Sequence, residues 1–397
     1  MRILEAIDRV DLRTGGPSRA VLDLSLAMAE RGHAVTVVTR SGPDLPGEWQ
    51  DPVRIDGTPR PRAVLLPQSR WLPPGSEAVA TLSRLVGDSD ILHLHGVWEP
   101  FNLRLAALAR AARVPYLVTL RGMLDDWCMA QRGLKKRLYL AVAGRRFLER
   151  AAVVQCTAEA ELHQSEKWFP RGRGLVLANL LNLRPYEALP GPDAALNRFP
   201  FLVDQRPWLL FLGRVNAKKG VGHLVEAARL LHVSGCPVGV VVAGTADSSA
   251  YLADLKDRVR AAKLTEHVHF VGHVDGGLKV SLLQASALTV IPTSQENFGF
   301  VFYESLAAGT PVVTTPLIDT AGELQRSGGC FLVEQDGGML AKRLQALLAD
   351  RDRLRGSGLQ AREWIFREYA TPRMAAQYEA MFREAVACNS ARAMGNR

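Results

Sequence analysis

Long apolar runs and paired cysteines are both missing from this sequence of 397 residues. A membrane-spanning helix needs about 18 or more consecutive apolar residues, and the longest candidates here, such as Val238–Ala246, have the length of buried strands. The five cysteines are scattered without C-x-x-C spacing, which argues against a disulfide framework and against a zinc site. Because Met1–Asp8 leads directly into a predicted strand, we expect no secretory signal. These absences favour a cytoplasmic protein.

The composition also lacks low-complexity segments and internal repeats. Hydrophobic residues make up 47% of the chain and charged residues 22%, as in an ordinary globular protein. At roughly 100–200 residues per domain, the length predicts two or three domains. Disordered and collagen-like chains are excluded.

The formal net charge of +9 is concentrated in one segment. Residues 131–150 hold seven basic residues and one acid, so we expect a local basic patch and no nucleic-acid surface. The segment has helical order over 132–151, with Leu134, Leu138, Ala141 and Leu148 on one stripe. One interpretation is a solvated helix that buries this apolar stripe. The other is peripheral contact with an anionic membrane surface on the cytoplasmic side.

Short apolar runs alternate with helical patterns in both halves of the chain, which predicts parallel βαβ units. A Pro- and Gly-rich stretch at 182–207 separates the two halves. The predicted fold class is α/β, with two tandem Rossmann-like, doubly wound domains facing a cleft. We predict an N-terminal acceptor-side domain at 1–190 and a C-terminal nucleotide-sugar domain at 191–372. A C-terminal helix with a tail, at 373–397, is expected to cross back to the first domain.

The most informative motif surrounds a predicted loop and helix between a strand ending at Ile291 and the turn Gly309-Thr310-Pro311. The loop carries Glu296, Asn297, Phe298 and Gly299, and Glu304 lies inside the apolar helix, where a carboxylate needs a partner. A helix N-terminus offers free N–H groups to an anion, and carboxylates accept hydrogen bonds from vicinal hydroxyls. This pattern indicates a nucleotide-sugar site. The alternative is that both glutamates are solvated.

Two further loops follow predicted strands. In Gly213–Gly220, Arg214 and Lys219 are positioned to bracket a diphosphate and to stabilise its negative charge without a metal. In the first βα loop, Gly15 and Gly16 allow backbone amides to approach a ligand, although a plain tight turn explains them equally well.

Together these motifs resemble the family 4 retaining glycosyltransferases, which have the GT-B fold, and the likeness extends over nearly the whole chain. The E-x7-E element is Glu296 and Glu304, and Val268–Gly272 resembles the strand near the nucleotide base. The resemblance implies that Glu304 holds the ribose and that Glu296 holds hydroxyls of the transferred sugar. Arg214 and Lys219 would hold the diphosphate, and Gly213, Gly15 and Gly16, with the backbone of 297–299, would complete the donor site. Glu296, Arg214 and Lys219 are thus the expected catalytic residues.

The chain departs from the family pattern in the N-terminal half. Arg121 stands where many relatives have a sugar-contacting His, and a permanently protonated Arg is a poor general base. We expect Arg121 to contact a phosphate or an acidic acceptor, and His95 to line the acceptor site. For His93 and His95 we see no carboxylate that would complete a metal site, and we predict no catalytic metal and no cofactor. A second departure, Ala178-Asn179-Leu180, has no functional interpretation.

The leading hypothesis is transfer of a hexose, with retention, from a UDP- or GDP-linked sugar to a saccharide or polyprenyl-linked saccharide in bacterial envelope or polysaccharide assembly. Alternatives are a two-lobe nucleotide-sugar or saccharide binding protein without catalysis, and a GT-B nucleotide-sugar epimerase. A pyridoxal-phosphate phosphorylase and a nicotinamide dehydrogenase are disfavoured, because the pattern for a bound pyridoxal lysine and the G-x-G-x-x-G signature at a strand end are both missing.

Overall fold

The computed structural model describes residues 1–50, 59–67 and 76–395. They form two units, one made of Met1–Leu181 with Thr371–Arg397 and the other of Asn182–Ala370. The predicted boundaries after residues 190 and 372 lie close to these limits. The assignment of donor and acceptor sides to the two units stays a prediction.

Unit 1 contains a parallel sheet with seven described strands in the order β3-β2-β1-β4-β5-β6-β7. The strands are β1 Arg2–Ala6, β2 Ala34–Thr39, β3 Arg62–Leu65, β4 Ile91–His95, β5 Tyr116–Thr119, β6 Val153–Cys156 and β7 Gly174–Val176. The order reverses between β1 and β4, which places a crevice at their carboxyl ends.

The helices of unit 1 connect these strands and cover the sheet. They are α1 Gly16–Glu30, α2 Gly47–Gln50, α3 Glu77–Gly87, α4 Pro100–Ala111, α5 Asp126–Ala130, α6 Gly133–Tyr139, α7 Arg145–Glu149 and α8 Glu159–Ser165. The long helix α18, Thr371–Gly395, also belongs to this unit and packs against α1 and β4.

Unit 2 has a parallel sheet with six described strands in the order β10-β9-β8-β11-β12-β13. The strands are β8 Trp208–Leu212, β9 Gly239–Ala243, β10 Val268–Gly272, β11 Leu288–Ile291, β12 Val312–Thr314 and β13 Cys330–Leu332. The helices are α9 Arg184–Glu187, α10 Asp193–Arg198, α11 Val221–Val233, α12 Ser249–Ala261, α13 Gly276–Ala285, α14 Phe300–Ala307, α15 Ala321–Gln325, α16 Gly337–Leu348 and α17 Arg351–Glu368. Here the order reverses between β8 and β11.

The central strands of both sheets are covered on both faces. Every residue of β4, β8 and β9 is buried. β8 and β9 therefore appear as short apolar runs in the sequence, whereas β4 also carries two buried histidines, His93 and His95. The predicted fold class, two parallel-sheet α/β domains, is confirmed.

The basic segment 131–150 differs from the simple helix predicted for it. It contains α6, a π-helical turn at Leu140–Gly144, and α7. One interpretation of the sequence placed Leu134 and Leu138 in a buried stripe, but they are 84% and 64% exposed. Leu140, Phe147 and Leu148 are buried instead. That interpretation is therefore wrong for these two leucines, because the segment packs through α7 and the π turn while α6 buries none of its residues.

None of the helices in the described ranges is both long and apolar enough to cross a lipid bilayer.

Candidate nucleotide-sugar site

In unit 2 the two predicted motif loops leave the sheet at its reversal point. The loop after β8 and the loop after β11 emerge from adjacent parallel strands, so both lie at the carboxyl edge where ligands of such sheets bind. They are joined directly, because the Ser294 N–H donates to the Lys218 carbonyl at 2.8 Å. The structure thus brings together residues that are about 80 positions apart in sequence.

Lys219 and Glu296 form an ion pair across these two loops. Their side chains are only 14% and 22% exposed. Burial alone would raise the pKa of Glu296, but the Lys219 ammonium in contact with it, together with Lys218 and Arg214, outweighs burial and keeps the pKa below its usual value. Glu296 is therefore an ionised hydrogen-bond acceptor at neutral pH.

Arg214 lies at the exposed side of this group. Its Nη1 is 3.3 Å from Asp247 Oδ2, and the Arg214 side chain is 45% exposed. Asn216 also donates to Asp247, at 2.8 Å. Since an exposed ion pair of this length is weak, the Arg214 guanidinium remains accessible to an anionic ligand. Asp247 was not predicted as a site residue, because it follows a different strand, β9.

Glycines allow the backbone to pack tightly here. Gly213 and Gly244 follow neighbouring strands with φ of 149° and 146°, and a Cβ on Gly244 would lie 1.8 Å from the Gly213 carbonyl oxygen. A Cβ on Gly220, with φ of 77°, would lie 2.1 Å from the Pro292 carbonyl oxygen. No side chain fits at Gly244 or Gly220 without moving the backbone, so these positions fix the course of both loops.

The start of helix α14 is fixed by aromatic packing. Gly299 has φ of 70°, and Phe298 stacks on Tyr303 with ring centroids 4.4 Å apart. Because Phe298 is 3% exposed, its side chain is a packing element, and its backbone N–H is what it can offer a ligand. Asn297 is oriented by a 3.0 Å hydrogen bond to Asp319.

Glu304 lies on α14 as predicted, and its partner is Lys279 of α13. Lys279 Nζ donates to Glu304 Oε1 at 2.7 Å, with side-chain exposures of 17% and 10%. The sequence indicated that Glu304 needs a partner but did not identify it, since 25 residues and one strand separate the two.

In unit 1, Gly15 and Gly16 lie between β1 and α1. Gly15 has φ of 120°, a conformation that favours glycine, and nothing lies within 4 Å of the position its Cβ would take. Gly16 is the first residue of α1. The space beside Gly15 is compatible with a ligand, and its part in donor binding stays a prediction.

A buried polar cluster occupies the reversal point of the first sheet. Glu5 Oε2 lies 2.9 Å from His93 Nδ1 and 2.7 Å from His95 Nε2, and all three side chains are buried. The expectation that the histidines have no carboxylate nearby is therefore wrong. The sequence could not show this contact, because Glu5 is part of an otherwise apolar strand. These distances are those of hydrogen bonds and ion pairs between the three side chains.

Burial and hydrogen bonding set the charges in this cluster. Burial works to raise the pKa of Glu5, but His93 and His95 outweigh it and lower that pKa to about 2. Burial, with His93 close by, lowers the pKa of His95 to about 3. Glu5 is thus ionised and His95 neutral at pH 7.

Arg121 extends the cluster from the end of β5. Its Nη2 lies 2.9 Å from His95 Nδ1, and its Nη1 donates to Asn179 Oδ1. Arg121 and Gly122 are consecutive left-handed residues, with φ of 61° and 70°. For Arg this conformation costs about 1–2 kcal/mol. The predicted pair Arg121 and His95 is thus in direct contact.

Comparison with known proteins agrees with this arrangement. The family described as "Glycosyl transferases group 1" matches residues 194–364, within unit 2. The family described as "Glycosyl transferase 4-like domain" matches residues 15–179, within unit 1. The chain therefore belongs to the glycosyltransferases that combine these two domains, as the motifs predicted.

Relatives in sequence include two mycobacterial enzymes. A glycogen synthase of Mycobacterium tuberculosis is 29% identical over 85% of this chain and 83% of its own length. A phosphatidyl-myo-inositol mannosyltransferase of Mycobacterium leprae is 28% identical over 87% of this chain and 88% of its own.

Solved structures share the GT-B fold. Sucrose-phosphate synthase of Thermosynechococcus elongatus matches with a TM-score of 0.75 at 22% identity, over 98% of this chain and 99% of the other. HepE of Anabaena, solved with UDP and glucose, matches with a TM-score of 0.76 at 17% identity, over 96% and 99% of the two chains. The similarity to these structures shows the fold alone.

Proposed function

We propose that this glycosyltransferase moves a hexose from a UDP- or GDP-linked sugar to a saccharide or lipid-linked saccharide, with retention and without a metal ion. The observation that carries the proposal is the charged group at the reversal point of unit 2. It combines an ionised, partly buried Glu296 in contact with Lys219, an accessible Arg214, and a second buried carboxylate, Glu304. HepE of Anabaena, which has the same fold, was solved in complex with UDP and with UDP-glucose, which supports a nucleotide-sugar donor.

The proposed donor contacts follow from the charges. Glu304 accepts hydrogen bonds from the ribose hydroxyls, and Glu296 accepts them from hydroxyls of the transferred sugar. The backbone amides of 297–299 and the glycines at 213, 15 and 16 allow close approach of the donor. Arg214 and Lys219 contact the diphosphate.

The same cations explain how the reaction proceeds. As the bond from the anomeric carbon to the phosphate oxygen breaks, negative charge grows on the diphosphate, and Arg214 and Lys219 stabilise it electrostatically. The acceptor oxygen bonds to the anomeric carbon on the face that the diphosphate leaves, and its proton passes to a phosphate oxygen. The chemistry then needs no general base from Arg121, which with His95 lines the acceptor side.

A second observation supports a lipid-linked acceptor. Leu134, Leu138 and Val142 are 84%, 64% and 75% exposed and are spaced four residues apart, so they form one apolar stripe on the surface of the 131–150 segment. Six exposed basic residues accompany the stripe: Arg132, Lys135, Arg137, Arg145, Arg146 and Arg150. An apolar stripe among basic residues is typical of helices that bind anionic membranes.

The test is nucleotide binding by isothermal titration calorimetry with UDP, GDP, ADP and CMP, in EDTA and again with Mg²⁺ or Mn²⁺. We expect one nucleoside diphosphate to bind in EDTA, and binding to weaken at least tenfold in Arg214→Ala and Glu304→Ala. Arg229→Ala is the matched control, because the Arg229–Glu226 pair has similar exposure, 40% and 46%, on helix α11. Binding that needs the divalent ion would contradict metal independence.

A nucleoside diphosphate that binds identifies the donor series for turnover assays. NMR of the product's anomeric proton then distinguishes retention from inversion. Binding of a nucleotide sugar without any transfer or hydrolysis would favour the alternative of a binding protein. Conversion of the sugar itself, with no acceptor used, would favour an epimerase.

A further inference from the structure

The hydrogen bonds around Glu5 form one continuous chain with a fixed direction. At one end, the Gln155 side-chain nitrogen donates to the Leu177 carbonyl at 2.8 Å, so Gln155 Oε1 must face Thr119. The Thr119 hydroxyl donates to that oxygen at 2.8 Å. The single Thr119 proton is thereby used, and His93 Nε2, 2.7 Å away, must carry a proton to donate to Thr119 Oγ1.

The other end of the chain is fixed by Arg121. A guanidinium only donates, so His95 Nδ1 accepts from Arg121 and His95 Nε2 donates to Glu5. His95 is therefore neutral. His93 Nδ1 lies 2.9 Å from the same Glu5 oxygen.

Arg121 has no carboxylate in direct contact. Glu5 is in contact with His95, which lies between Glu5 and Arg121. The other nearby carboxylate, Glu161, accepts from the Gly122 N–H at 2.5 Å, from the Thr157 N–H at 2.6 Å and from the Thr157 hydroxyl at 2.9 Å. Within the described ranges, Arg121 forms no salt bridge with any carboxylate.

The guanidinium of Arg121 also has unused donors. Its hydrogen-bond partners, His95 and Asn179, are both neutral, and Nε is buried with no hydrogen-bond partner among the described residues. Arg121 as a residue is half-buried, just beyond the carboxyl end of β5. Burial lowers the pKa of Arg121, while Tyr378, Glu161 and Glu5 act in the opposite direction.

We propose that Arg121 binds a carboxylate or phosphate group carried by the saccharide substrate of unit 1. Both anions match the planar fork of a guanidinium. The inference rests on the proposed function, because it takes the ligand of unit 1 to be a saccharide. It adds that this saccharide is acidic, with the charge of a uronic acid or of a sugar phosphate.

The test is calorimetric titration of the full chain with glucuronate, glucose 1-phosphate and glucose at matched ionic strength. We expect at least one of the two anionic sugars to bind tenfold or more tightly than glucose. Glucuronate as the better ligand would identify a carboxylate, and glucose 1-phosphate a phosphate. Equal binding of all three sugars overturns the proposal.

Variants of Arg121 locate the anion. Arg121→Gln should remove the preference for the anionic sugar, whereas Arg173→Gln, which removes a charge of the exposed pair with Glu384 in unit 1, should keep it. A preference that persists in Arg121→Gln also overturns the proposal. Arg121→Lys, which keeps the charge without the fork, is expected to fold and to show an intermediate preference.

Chemical modification of the unaltered protein tests the proposal even if the variants do not fold. Phenylglyoxal modifies arginines, and peptide mass spectrometry reads the extent of modification at residue 121. We expect the anionic sugar, but not glucose, to protect Arg121, and equal protection by both would contradict the proposal. Binding of UDP and GDP is measured in the same samples and tests the proposed function. Failure of the proposed function is thus distinguished from failure of this further inference.

Discussion

The Lys279 ammonium lies 2.7 Å from the Glu304 carboxylate, and both side chains are largely buried between α13 and α14. The pair gives a carboxylate inside an apolar helix a cationic partner from the neighbouring helix.

Glu304→Gln should weaken nucleoside diphosphate binding about 10–100-fold, because a hydrogen bond to a charged group contributes about 1.5–3 kcal/mol. Titration calorimetry measures the change. Lys279→Met is the companion variant, and we expect a smaller loss from it because the carboxylate remains. Equal affinity of Glu304→Gln and the unaltered protein would exclude Glu304 from the donor site.

Gly244→Ala should destabilise unit 2 by about 2–4 kcal/mol, because its Cβ meets the Gly213 carbonyl oxygen at a positive φ. Gly356→Ala is the opposite case, since Gly356 lies inside helix α17 with nothing within 4 Å of its Cβ position. We expect Gly356→Ala to stabilise unit 2 by about 0.5–1 kcal/mol. Denaturant midpoints measure both, and the same sign for the two variants would contradict the argument.

The buried cluster predicts that acid destabilises unit 1. His95 stays neutral in the folded state, with a pKa of about 3, but binds a proton near pH 6.5 once unfolded. Stability therefore falls as the pH drops from about 6.5 towards 3, by about 1.4 kcal/mol per pH unit for this one proton. The pKa of Glu5, about 2, acts in the same direction at lower pH, since its contribution is complete above pH 4.5 and is lost as the pH falls through 2.

Urea midpoints at pH 7 and pH 5 measure this dependence. His95→Gln should show a smaller difference between the two pH values than the unaltered protein. His33, His267 and His269, whose pKa values burial also lowers, contribute equally to both proteins. His163→Gln, at a site where the side chain is 88% exposed, is the control substitution.

Replacing two leucines of the exposed stripe should weaken binding to anionic vesicles. Fully burying a leucine in an apolar environment contributes about 1.5–3 kcal/mol, so Leu134→Ser with Leu138→Ser should lower partitioning at least tenfold. Sedimentation with vesicles containing phosphatidylglycerol, compared with phosphatidylcholine alone, is the measurement. Val233→Ser is the control, because Val233 is equally exposed, at 74%, on a helix of unit 2. If the unaltered protein binds neither kind of vesicle, the 131–150 segment is a solvated surface.

The sequence predicted the central strands and the motif loops because these carry strong local signals. The buried strands β8, β9 and β11 are apolar runs that end at glycines or at a proline, and their ends are visible without a structure. The edge strands β3, β7 and β13 were not predicted. They contain three or four residues each and are only partly buried, so no apolar run marks them in the sequence.

Contacts between residues far apart in the chain were also not predicted from the sequence. Glu296 and Lys219 were each identified as site residues, but their contact was not. Glu5 was missed entirely, because a single acid in a buried strand has no local pattern that marks it. Such contacts depend on which strands become neighbours, and that order is a property of the whole sheet.

Helix α18 has a consequence for how the chain folds while it is being made. The Tyr378 hydroxyl accepts from Gln155 and donates to the Ala178 carbonyl, and Thr371 donates to the Leu181 carbonyl, so the interior of unit 1 is completed by residues that are translated after all of unit 2. On the ribosome, the contiguous unit 2 can fold as soon as it emerges. The hydrogen-bond chain that ends at Gln155 therefore stays open to water until α18 has been synthesised, some 370 residues after β1.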